Sequence, residues 1–157
     1  MAGLTITIRR YRDSDKDAVW QLHQLALEPT GAMLPGGPWS DEDLNRIEEE
    51  YINNSGDFLV GVVNNQIVCM GALKKISDSL AEVKRMRVHP DYQRKGFGQL
   101  MLRRLEQKAR ELGYSELCLD TTTQQIPAQK LYEKNGFTET SRGRFRSLEL
   151  IYYSKRL

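Results

Sequence analysis

Two short polar turns constrain this chain more than any other feature. Asn64-Asn65 and Ser77-Asp78-Ser79 separate three β-rich runs, "DFLVGVV", "QIVCMGALKKI" and "LAEVKRMRVH". Turns that short join antiparallel neighbours, so the three runs form a meander. After Val88 the pattern changes. Met101, Leu102, Leu105, Ala109 and Leu112 recur at helical spacing, Gly113 stops the helix, and "SELCLDT" reads as a further strand. A strand reached through a helix can pair with its predecessor in parallel. The sheet is therefore expected to be mixed.

The rest of the chain extends the same plan. "LTITIRRY" alternates apolar and polar residues as a first strand, and Asp13 or Ser14 can cap a helix carrying Ala18, Val19, Leu22, Leu25 and Ala26. "EPTGAMLPGGPW" interrupts that helix with three prolines and three glycines and reads as a loop. Ser40 with Asp43 resembles a capping box for a second helix bearing Leu44, Ile47 and Tyr51 on one face. Pro127 suits the first turn of a helix through "AQKLYEKNG", with Gly136 as its cap, and "FTET" and "SLELIYYSKRL" close the chain as strands. The order is β-α-α-β-β-β-α-β-α-β-β in 157 residues, without repeats or a linker. One α/β domain, residues 1–157, is expected, with a mostly antiparallel mixed sheet of about seven strands and about four helices.

Composition removes several function classes. A formal net charge of +2 makes no field strong enough to argue for nucleic acid. In "RRLEQKARE" Glu106 and Glu111 offset part of the basic charge, Glu106 can pair with Arg110, and no aromatic platform accompanies them. No apolar run approaches the roughly 20 residues that span a bilayer, and "MAGLTITIRRYRDSDKD" lacks the apolar core of a leader. A cytoplasmic protein with neither nucleic-acid nor membrane partner is expected. Cys69 and Cys118 lie far apart in apolar stretches and read as reduced and buried, and His23 and His89 make no metal-binding spacing with them. No metal is expected.

The stretch "HPDYQRKGFGQLM" carries the chemistry. Gly96 and Gly98 stand where a strand feeds a helix, and glycine there costs backbone entropy. The first amides of a helix lack partners and carry the positive end of its dipole, so such a turn can hold a phosphate, with Arg94 and Lys95 adding charge. A glycine-assisted turn with solvated basic residues would use the same letters. A dinucleotide fingerprint would need a third glycine where Met101 stands, and in a Walker A loop the lysine follows the glycine, whereas Lys95 precedes Gly96. What remains is Gln93-x-x-Gly96-x-Gly98.

With "AEVKRMRV" before it and "LYEKNGF" after it, "VHPDYQRKGFG" resembles the acetyl-CoA signature of the GNAT superfamily of N-acyltransferases, over roughly residues 57 to 140. The resemblance implies a GNAT-like fold in which the parallel strands four and five splay apart. It implies that amides of Arg94, Lys95, Gly96, Phe97, Gly98 and Gln99, in the motif opened by Gln93, hold the pyrophosphate of acetyl-CoA. Arg94 and Lys95 would meet its 3′-phosphate, and backbone groups of Met86 and Val88 would pair with pantetheine as with an added strand. The Pro127 helix would flank the thioester. There the family often has Asn three residues before the helix's alanine, whereas Gln125 precedes Ala128 here. Gln offers the same amide on a longer arm.

Acetyl transfer to an amine needs a neutral amine and a protonated leaving thiolate. A lysine-like amine titrates near ~10.4, so most of it is protonated at neutral pH, and a carboxylate close to the acceptor can take its proton, directly or through water. Glu82 is the expected base, on the strand beside the thioester, with Glu116 and Asp120 as weaker candidates; a solvent-facing strand residue is the alternative for Glu82. Tyr132 matches the position that often supplies the family's general acid, and a packing role is its alternative. The expectation is an acetyl-CoA-dependent acetyltransferase acting on a primary amine by direct attack in a ternary complex. A non-catalytic acyl-CoA-binding or sensing module and a ligand-free interaction domain are the other readings. The acceptor amine is not readable, a homodimer is left open, Trp20 is assigned to the core, and Trp39 lines either the loop or the acceptor site.

Overall fold

The computed structural model describes residues 4–27 and 41–157. In it the strands are β1 (Thr7–Arg10), β2 (Asp57–Val63), β3 (Gln66–Lys75), β4 (Leu80–Val88), β5 (Glu116–Thr122), β6 (Thr138–Phe145) and β7 (Leu148–Arg156). The α-helices are α1 (Lys16–Leu27), α2 (Phe97–Glu111) and α3 (Ile126–Lys134). The seven strands form one sheet in the order β1-β2-β3-β4-β5-β7-β6. All neighbours are antiparallel except β4 and β5, which α2 connects. The mixed sheet follows from the turn lengths. Asn64 and Asn65 both lie at positive φ, 50° and 64°, as a two-residue turn between paired Val63 and Gln66 requires.

Each face of the sheet has its own core. Met101, Leu102 and Leu105 of α2 pack with Val83, Leu117, Leu119 and Tyr132 on one side. Val19 and Leu22 of α1 join Leu44, Ile47, Tyr51, Phe58, Val60 and Met70 on the other.

Several local expectations change. Leu44, Ile47 and Tyr51 are buried as predicted, but on a 3-10 turn, Glu42–Asn45, and a π turn, Glu48–Ile52. The Asp43 carboxylate accepts from the Tyr51 hydroxyl and from Arg85 Nε at 3.0 Å instead of capping a helix. Ser40 and Trp39 lie outside the described residues. Neither Asp13 nor Ser14 caps α1: a 3-10 turn, Asp13–Asp15, precedes it, and the Asp15 carboxylate accepts from the Arg12 amide at 2.9 Å. Leu25 is 39% exposed and Leu112 41%, so neither is core. Glu106 makes the expected pair with Arg110, at 4.0 Å, but is buried and also accepts from Lys155 Nζ at 2.9 Å. Trp20 is half-buried, with its indole N–H on Asn45 Oδ1 at 3.1 Å.

The active-site scaffold is made by β4. Its pairing with β5 covers only Leu80–Glu116, Ala81–Leu117 and Glu82–Cys118, after which the strands part. Across on β3, Met70 pairs with Arg87 but Ala72 pairs with Lys84, so β4 carries one extra residue. Arg85 sits in this bulge at φ 58°, a left-handed conformation unusual for a long side chain. The bulge and the parting strands open a cleft at the C-terminal half of β4.

Candidate active site

The His89 amide donates to Val68 O of β3 at 2.7 Å. Alternation along the strand therefore turns the amide groups of Met86 and Val88 the other way, toward the edge that β5 has left. The expected edge is present. Its carbonyls already have side-chain partners: Arg87 Nη1 donates to Met86 O at 2.7 Å, and Gln93 Nε2 to Val88 O at 3.3 Å. Each carbonyl keeps a second lone pair for a ligand.

The loop that follows is shaped by two left-handed residues, Arg94 at φ 63° and Gly96 at φ 83°. Such residues turn successive N–H groups toward a common concave side. Among the described residues, no amide from Gln93 to Gln99 donates to a backbone acceptor. Arg94 and Lys95 are exposed beside them, and the buried Phe97 ring stacks on Tyr92 with centroids 6.3 Å apart. A Cβ on Gly96 would meet nothing, so that glycine serves the positive φ. A Cβ on Gly98 would come within 3.3 Å of Leu131 Cδ2 and 3.6 Å of Val88 Cγ2. Gly98 thus also lets α2 begin close against α3 and β4. These free amides and the open edge fit a pyrophosphate followed by an extended pantetheine arm.

On the far side, Gln125 stands at the start of α3, but its carboxamide oxygen is committed to Thr121 Oγ1 at 2.6 Å and the Thr122 amide at 3.3 Å. Only its NH2 is left for a ligand. Ala128 is half-buried against the core. Tyr132 lies on the inner face of α3, 6% exposed, with its ring 6.0 Å from Phe137 and 6.1 Å from Tyr153. Its hydroxyl bonds to no described residue, yet it is not one of the sealed, unpartnered polar atoms, so the oxygen opens to the cleft. Burial, with Asp120 and Tyr153 adding to it against Arg87, pushes this phenol up to about 12. It therefore keeps its proton through the neutral range, as a donor must.

Glu82 is the last β4 residue paired to β5. Burial raises its carboxyl above the usual range; Asp120 adds to the rise, while Lys84, Lys74 and Arg85 oppose it. Burial likewise raises Asp120, against Lys84 and Arg87, although its side chain remains open to solvent in the cleft. Asp120 is felt by both Glu82 and Tyr132, which places it between them electrostatically. Glu116 pairs opposite Arg156 at the other end of β5, away from Tyr132 and the open edge. The thiols are inert: burial first, then Glu82 and Asp120, push half-buried Cys118 up to about 11, and burial pushes Cys69 up to about 12.

Three residues were missed altogether. The buried Arg85 guanidinium pairs with Asp41 at 2.9 Å and with Asp43. Arg87 Nε approaches His23 Nδ1 at 3.4 Å, so the proton of that imidazole sits on Nε2, 3.3 Å from Asp41 Oδ2. Burial, reinforced by Arg87, pulls His23 down to about 4, and it stays neutral. The only sequence signal was "KRMRV", a strand with basic residues at close intervals.

The mixed sheet parts between its two parallel strands, with a cradle of free amides at the split and Tyr132 on the helix that flanks it, as the resemblance to the GNAT superfamily implies. Residues 16–137 match the model of the acetyltransferase (GNAT) family, and the chain belongs to that family. N-acetyltransferase 8 of Homo sapiens is 29% identical over 134 residues, 77% of this chain and 59% of its own length. The chain spans little more than half the length of the first curated relatives it matches. A GNAT-family acetyltransferase from Staphylococcus aureus Mu50 superposes with a TM-score of 0.88 at 23% identity, covering 98% of this chain and 99% of that one. Another, from Elizabethkingia anophelis with acetyl-CoA bound, does so with a TM-score of 0.74 at 22% identity, covering 97% and 98%. The fold is that of these neighbours.

Proposed function

We propose that this chain transfers the acetyl group of acetyl-CoA to a primary amine by direct attack within a ternary complex. The observation that supports the reading most is the Tyr132 hydroxyl, which has no hydrogen-bond partner among the described residues and whose phenol feels both Arg87 of β4 and Asp120 of β5. Acetyl-CoA supplies the acetyl group as a thioester. Backbone groups of Met86 and Val88 align its pantetheine arm, amides from Gln93 to Gln99 hold its pyrophosphate, and the Gln125 NH2 and Ala128 border the arm from α3. Glu82 takes a proton from the acceptor ammonium, directly or through water, and Tyr132 hands a proton to the departing sulfur. Direct attack is favoured over an acyl-cysteine because the Cys118 thiol, pushed up to about 11, is protonated at neutral pH.

Coenzyme A should raise the melting temperature, because a ligand bound only to the native state stabilises it. Dephospho-coenzyme A should raise it less, since Arg94 and Lys95 lose their 3′-phosphate. Equal shifts would remove that role; no shift with either would end the reading. Release of free thiol from acetyl-CoA on adding amines separates an enzyme from a sensing module.

The base is tested by pH. Glu82 must be ionised to act, and its pKa is raised, so the acceptor kcat/KM should fall on the acid side at a pH above the ordinary carboxylate range. Asp120→Asn removes a like charge, lowers the pKa of Glu82 and should move that limb to lower pH. Glu82→Gln should lower the neutral rate by about a hundred-fold and recover in part at high pH, where free amine is abundant. An unmoved limb in Asp120→Asn together with a uniform loss in Glu82→Gln would assign Glu82 to acceptor positioning.

A further inference from the structure

Three cations, Lys84, Arg85 and Arg87, follow one another around the β4 bulge. Arg85 is matched by Asp41 and Asp43. Arg87 is held differently. Its Nε meets the neutral His23 at 3.4 Å, and its Nη1 meets a carbonyl, Met86 O, at 2.7 Å. Neither acceptor carries charge. Among the described residues no carboxylate lies within 4.0 Å of Arg87, and its Nη2 has no hydrogen-bond partner yet is not sealed from solvent. A guanidinium held inside a cleft without a counter-ion is costly unless a ligand supplies one. Its fork is preset by His23, itself against Asp41, and a preset planar fork is suited to a carboxylate.

We propose that the acceptor amine carries a carboxylate, and that Arg87 holds this carboxylate in the cleft. The inference rests on the acetyltransferase reading. Because Arg87 is bonded to Met86 O, the bound carboxylate stands one residue from the edge that aligns the thioester. The amine must reach the acetyl carbon from there, so only a short spacer separates it from the acid. The substrate class is a small amino acid or a close analogue. Asp41 and Asp43 are the carboxylates whose charge Arg87 feels most, and Asp120 feels Arg87 in turn, but Asp41 and Asp43 are spent on Arg85 and none of the three lies within ion-pair distance of Arg87.

The test compares amino acids with their own carboxamides as acceptors, at equal free-amine concentration, following thiol release from acetyl-CoA. The acids should be favoured in kcat/KM by roughly ten- to a hundred-fold, the range of a charged hydrogen-bonded contact. Arg87→Gln should erase the preference, and Arg87→Lys should keep part of it. In parallel, N-acetylated amino acids should stabilise the coenzyme A complex thermally, and their carboxamides should not. This second measurement needs neither turnover nor a variant. Equal use of acids and amides, with equal stabilisation by both product forms, would overturn the inference while leaving acetyl transfer intact, with Arg87 balanced at a distance by Asp41 and Asp43. Absence of both thiol release and stabilisation by coenzyme A would overturn the acetyltransferase reading and this inference with it.

Discussion

Tyr132→Phe should slow turnover by roughly a hundred-fold while leaving acetyl-CoA affinity within a few-fold. The substitution removes one oxygen and keeps the ring against Phe137 and Tyr153. The lost oxygen makes no hydrogen bond to a described residue, so folding should lose little. What disappears is the proton for the leaving sulfur. An activated thioester, whose thiolate leaves more easily, should therefore shrink the defect. Calorimetry of acetyl-CoA binding beside steady-state rates checks both halves. Full activity in the variant would leave water as the donor, and joint loss of binding and activity would make Tyr132 a positioning residue.

Arg85→Ala should destabilise the protein by about 3–5 kcal/mol, the usual cost of removing one partner from a buried ion pair. For a chain of this size that corresponds to a fall in melting temperature of roughly 6–20 °C. Asp43, its side chain only 14% exposed, would keep a charge without its partner. Adding Asp43→Asn in the same chain should restore part of the loss, because it removes the stranded carboxylate. Thermal unfolding of the two variants decides. A loss below about 1 kcal/mol would mean the pair behaves as an exposed one.

The parts of the fold that were legible in advance are those governed by local rules. The Asn64-Asn65 turn, the periodicity from Met101 to Ala109 and the stops at Gly113 and Gly136, both at positive φ, are all decided within a few residues. Together they imply the meander and the single parallel pair. The motif from Gln93 to Gly98 was legible for the same reason, since its free amides depend on a local turn. What stayed hidden depends on residues distant in the chain. Asp43 looked like half of a capping box because Arg85, 42 residues later, is invisible from its surroundings. Glu106 showed only its helix neighbour Arg110 as a partner, because Lys155 is supplied by the last strand. Gln125 looked free for a ligand because nothing in its neighbours announces the bond from Thr121. The bulge at Arg85 has no glycine to mark it.

The brevity of the β4–β5 pairing has a mechanical meaning. Among the described residues, three residue pairs, with the Ser115 and Glu116 amides on Ser79 O beside them, join the four-stranded N-terminal half of the sheet to the three-stranded C-terminal half along this line. The seam is the place where the sheet is least stitched, and it lies where the proposed cosubstrate would thread. A molecule lying there would pair its own amides with the open edge of β4 while resting against α3 on the other side, and would work as a zipper. Loading would then knit the two half-sheets into one stiffer body, and release of the spent carrier would let them breathe apart again.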